Sequence, residues 1–108
     1  MNIKEVSSQI NVLKIKLQVL LGDAHEELKA QAKDPKALPE NTSILASIIP
    51  NAELWLRKIE SIKLILHDIK SEDAPSTQDY LKELCDITMP EIESKHKAMF
   101  DDLRLAKA

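Results

Sequence analysis

Leu45, Ile48, Ala52, Trp55, Ile59, Ile62, Leu66 and Ile69 advance along the chain in steps of three and four. That interval places side chains on one stripe of an α-helix. The chain opens on a second ladder of the same kind, Ile3, Val6, Ile10, Leu13, Leu17, Leu20 and Ala24. Two such seams predict two long helices that bury one face each against the other. The first is expected from about Asn2 into the Gln31–Lys33 region. It should stop ahead of Asp34-Pro35, because the residue before a proline is pushed out of the α region. Gly22 lies inside it, at a cost of about 1 kcal/mol relative to alanine, and is a place for a kink or break. Ile15, Leu17, Val19 and Leu21 also alternate in the period of a strand. The helical ladder running on both sides, with no partner strand elsewhere, decides for helix.

Asp34 to Asn41, with prolines at 35 and 39, is read as a connector, and Asn41, Thr42 and Ser43 all qualify as N-caps of the second helix. Pro50 lies near the start of that helix, but the ladder keeps its register across it, which favours a bent, continuous helix over two. Ser71 to Pro75 is a second connector. Ser76 followed by Asp79 has the spacing of a capping box and opens a third segment. There Tyr80, Leu84 and Ile87 share a face, with Leu81 and Cys85 beside them. After Pro90 the shared face is Ile92, His96, Met99, Leu103 and Ala106, rotated by roughly 100° on an ideal wheel. A proline where the face turns predicts a break or strong kink, with Thr88 as the cap of the second piece.

Connectors this short force neighbouring helices to run antiparallel. The expected architecture is all-α: an elongated antiparallel three-helix (up-down-up) bundle, its third helix broken or kinked near Pro90 so that four helices are an equally fair count. Residues 1–108 are expected to form a single domain, being too few for two useful cores. Composition agrees. One glycine and 3% aromatic residues suit helices far better than sheets, which need turn glycines and strand-forming aromatics.

Charge narrows the function. The net charge is −3, from 15 basic and 18 acidic residues dispersed along the chain, without the basic stripe and stacking aromatics of a nucleic-acid binder. Lys4, Lys14 and Lys16 read as a solvated face. The lone Cys85 excludes an internal disulfide and a zinc site of several thiolates. The start of the chain lacks a signal-peptide layout, and Ile10–Leu21 is too short and too interrupted by lysines to span a membrane. The expectation is a soluble cytoplasmic protein, most simply bacterial or from a phage, with no nucleic-acid, membrane or small-molecule partner.

Candidate chemistry is sparse. Glu93 and His96 have the Glu-x-x-His spacing of di-iron bundles, but those sites need a second copy and two further carboxylates. Neither His25 nor His67 completes such a motif, so no metal or cofactor is implied. No phosphate loop or nucleophile elbow is present. Cys85 lacks a basic neighbour to lower its pKa and reads as a small core thiol. No catalytic residue is assigned, and the protein is read as no enzyme. The run Ala24-His25-Glu26-Glu27-Leu28-Lys29 resembles the phosphorylated segment of histidine phosphotransfer domains, whose order is His-x-Leu-Lys-Gly. It departs by one inserted residue and by lacking the glycine. The resemblance covers six residues and implies, as the alternative function, a signalling bundle that carries phosphate on His25.

Val12, Ile15 and Val19 form a second apolar stripe on the first helix, roughly opposite its main ladder on an ideal wheel. A helix in a three-rod monomer has one face to bury. Two explanations compete: contact with another subunit or protein partner, or a central first helix whose two stripes both face the chain's own rods. The first is preferred. It makes the protein a non-enzymatic helical interaction module, a small adaptor, inhibitor or regulator working as a homodimer.

Overall fold

The first helix begins where a side chain can satisfy its free amides. In the computed structural model, which describes residues 1–108, Asn2 is the N-cap of α1 (Ile3–Ala32), and its Oδ1 accepts from the backbone N–H groups of Lys4 at 2.8 Å and Glu5 at 3.3 Å. The helix passes through Gly22 unbroken. Val6, Ile10, Leu13, Leu17, Leu20 and Ala24 are all buried, as their spacing requires.

α2 (Pro39–Asp68) starts earlier than Asn41–Ser43. Pro39 occupies the first turn, where its missing N–H loses nothing, and the N-cap, Leu38, offers no side-chain bond. The Thr42 hydroxyl serves a tertiary contact instead, donating to the Gln31 side-chain oxygen at 3.3 Å. α2 continues through Pro50 without interruption. Its ladder is buried at Leu45, Ile48, Ala52, Trp55, Ile59 and Leu66, while Ile62 and Ile69 pack at the margin. The Lys58 ammonium covers the Trp55 ring, 4.1 Å from its centroid.

The third rod consists of α3 (Pro75–Glu83), a five-residue π-helical turn (Leu84–Thr88) and α4 (Met89–Lys107). The Ser76–Asp79 box does not form. Pro75 takes the first turn, Ala74 is the N-cap, and Ser76 is already helical. Of the break or kink expected near Pro90 the structure has the kink: the third rod is one joined, kinked helix, and Thr88 makes no capping bond. The rod is continuous because its buried positions, Thr77, Leu81, Leu84, Met89, Ile92, Met99, Leu103 and Ala106, together with half-buried His96, keep the 3–4 spacing except for one step of five, between Leu84 and Met89. One surplus residue would turn every later side chain by about 100°. The π turn absorbs it, with the Met89 N–H bonded to the Leu84 carbonyl. This wider turn lies directly ahead of Pro90, which has no amide to offer an α-helical ladder. Ile87, expected beside Leu84, falls within the bulge and is 62% exposed.

Side-chain bonds fix the directions. Lys14 meets Glu60 at 2.7 Å, and Gln31 near the end of α1 meets Thr42 near the start of α2, so these helices are antiparallel. Gln31 also donates to the Ala106 carbonyl at 2.8 Å, near the far end of α4. At the opposite end the Met1 ammonium donates to Gln78 at 2.9 Å and the Ile3 N–H to Glu72 at 2.6 Å. The third rod therefore runs parallel to α1, completing up-down-up.

The fold is all-α, 86% helical without strands. It measures 59 × 20 × 16 Å, with a radius of gyration of 17.0 Å, against about 13 Å for a compact globule of this length. Nineteen buried apolar residues form one continuous core along the axis. Thr77 is the one buried polar residue, and no buried side-chain nitrogen or oxygen lacks a partner.

Candidate functional site

α1 carries its core ladder on one face and packs against α2 and the third rod. Val12, Ile15 and Val19, on the far side of the cylinder, stay outside the bundle, 52%, 51% and 57% exposed. The reading in which both stripes of α1 face the chain's own helices is excluded. Three β-branched side chains in a line are held rigid at χ1, so the stripe is a firm apolar ridge. A residue of this type left half in water forgoes part of the ~1.5–3 kcal/mol that full burial supplies.

Val12 also borders a shallow groove between α1 and the third rod, about 450 Å³, lined by Gln9, Leu13, Lys16, Cys85, Met89, Pro90 and Glu93. The π turn and Pro90 form one wall. Cys85 is half-buried there with its thiol free. Farther along, Lys16, Glu93, His96 and Lys97 gather around Leu13. His96 stacks on Phe100 with ring centroids 6.1 Å apart and planes at 18°. Burial lowers the His96 pKa from its ordinary value of 6.5. The nearby Lys16 charge acts in the same direction, and contact with the Lys16 backbone opposes both.

Glu93 and His96 do come together at one groove, but no group of three or more His, Cys, Asp or Glu side chains converges anywhere. His25 is exposed near the end of α1. Beside it, Glu27 accepts from Gln31 at 3.2 Å and so belongs to the contact that ties the rod ends together.

Two features escaped the sequence. Leu64, Leu105 and Ile87 are each more than 60% exposed, scattered over α2 and the third rod without forming a row. Gly22, read as a weak point, is exposed in an intact helix, and a Cβ there would meet nothing within 4 Å. Its spacing of three from Val19 was the available signal.

No family model, curated protein or solved structure matches the chain. The reading of the α1 ridge rests on its own residues. No helix is long and apolar enough to cross a membrane.

Proposed function

We propose that this chain is a non-enzymatic helical interaction module, a small cytoplasmic adaptor, inhibitor or regulator that works as a homodimer through Val12, Ile15 and Val19. The supporting observation is the ridge itself: three apolar residues at helical spacing, exposed, on a helix whose other face already supplies its share of the core. Polar Ser8, Lys16 and Glu26 bound it, as a rim bounds an interface centre. A two-fold dimer meets this ridge with its own copy.

Ile15→Asp tests the reading. It would bury an unpaired carboxylate in a dimer while leaving an isolated protomer intact. The expected result is a folded protein of half the parent mass by light scattering. A parent that is already monomeric, or a variant unchanged in mass, overturns the dimer.

The exposure of His25 favours a second reading, a phosphate-carrying bundle. Labelling by acetyl phosphate that disappears in His25→Gln would put this reading first.

A further inference from the structure

Gly22 has no role within the protomer. It sits in the middle of α1 with ordinary helical backbone, and the space where a Cβ would go is open. Helix propensity alone disfavours glycine at such a site. It follows Val19 by three residues and Ile15 by seven, so it continues the ridge. With Ser8 and Glu26 the exposed row runs in steps of 4, 3, 4, 3 and 4, the repeat of a two-stranded coiled coil.

We propose that two copies pair along α1 in antiparallel fashion, with Val12 of each seated over Gly22 of the other. The inference rests on the reading of the ridge as a dimer face and specifies how the second copy lies on it. The register follows from charge. Setting Val12 against Gly22 sets Ile15 against Val19, which puts the apolar side chains together at the centre. It also sets the Ser8 hydroxyl against the Glu26 carboxylate as a donor to an acceptor. At the ends it brings Glu5 against Lys29, twice by symmetry, and both residues are exposed and free to pair. A parallel pair would set Glu5, Glu26 and Lys29 each against its own copy, three layers of like charge. Sliding the antiparallel pair by one heptad one way would keep Val12 against Ile15 but put Val19 against Ser8 and Glu5 against Gly22. Sliding it the other way would put Val12 against Lys29 and Ile15 against Glu26, and either slide loses the end pairs of Glu5 with Lys29. In the favoured register the missing Cβ of Gly22 is what lets the helices close over Val12, as small residues permit elsewhere.

Cysteine cross-linking in a Cys85→Ser background separates these arrangements, because a disulfide needs Cα atoms within about 7 Å. Val12→Cys and Gly22→Cys proteins are prepared singly, mixed while reduced, and then oxidised. The expected result is a covalent dimer in the mixture and almost none from either alone. Self-linking of each single variant would make the pair parallel and overturn the register while the dimer face stands. A dimeric parent without any cross-link overturns the register in the same way. A monomeric parent by light scattering removes the dimer reading itself. Gly22→Ala supplies a second readout: it should raise the melting temperature of the Ile15→Asp monomer yet weaken dimerisation of the parent at least about tenfold. An unchanged dissociation constant would show that nothing closes over Gly22.

Discussion

The Gln31 amide reaches the Ala106 carbonyl at 2.8 Å, joining positions 75 apart in sequence, while its oxygen accepts the Thr42 hydroxyl at 3.3 Å. One side chain thus ties the end of α1 to both other rods. Gln31→Ala leaves the partly buried Ala106 carbonyl without its side-chain donor and the Thr42 hydroxyl with only its 3.4 Å contact to the Leu38 carbonyl, and should lower stability by about 1–2 kcal/mol. Urea denaturation measures it. A change below about 0.3 kcal/mol would mean that water replaces the contact without loss.

Ile59 is fully buried about two-thirds of the way along α2, and Leu64 five residues later is 65% exposed. Ile59→Ala should cost about 2–5 kcal/mol, the range for emptying a packed site, whereas Leu64→Ala should stay within about 0.5 kcal/mol. Equal effects in chemical denaturation would contradict the assignment of the core face.

The response to acid should come in two windows. Burial lowers the His96 pKa below 6.5 in the folded chain. Above 6.5 the ring is neutral in both states and adds no slope. As pH falls from 6.5 through the folded value, the unfolded chain gains a proton that the folded chain resists, and stability declines. The carboxylate of Glu60 is shifted the same way by its bond to Lys14, which lowers its pKa from 4.5. Its contribution is present above 4.5 and lost as pH falls through its folded value. His96→Gln should flatten the upper window and Glu60→Gln the lower one, read as melting temperature against pH. A slope below pH 6.5 that survives His96→Gln would assign it to another group.

The five-residue step between Leu84 and Met89 predicts the behaviour of a deletion. Removing exposed Asp86 while changing Pro90 to Ala restores an unbroken 3–4 ladder and an amide at the old proline. The variant should fold as a plain α-helical rod with a melting temperature at or above the parent's. A drop of more than about 8 °C, on the order of 1 kcal/mol or more for a domain of this size, would show that the π turn holds packing the ladder does not capture.

Both long seams were legible because a 3–4 ladder has one structural solution, and nearly every position in them is buried. The starts of the second and third helices were not legible, because Thr42 and Ser76 advertise caps while prolines at 39 and 75 claim the first turns. At Pro90 the rotated face was visible in the sequence, but a break and a π turn produce the same rotation. What separates them is whether the backbone bond from Met89 to Leu84 closes. The exposure of Val12, Ile15 and Val19 depended on where the third rod lies against α1, which no local pattern encodes. Ile62, a member of the same ladder, lies at its edge for a related reason: α2 is flanked by two partners, and its packed face is set by both.

A body 59 Å long and 20 Å across has more friction than a sphere of equal mass. On a sizing column the single protomer would elute early, like a heavier globular standard. A side-by-side antiparallel pair doubles the mass while lengthening the particle little, so its elution would shift less than doubling suggests. Elution volume therefore blurs the distinction on which the α1 ridge depends, and mass must be read from scattered light or sedimentation equilibrium, which do not depend on shape.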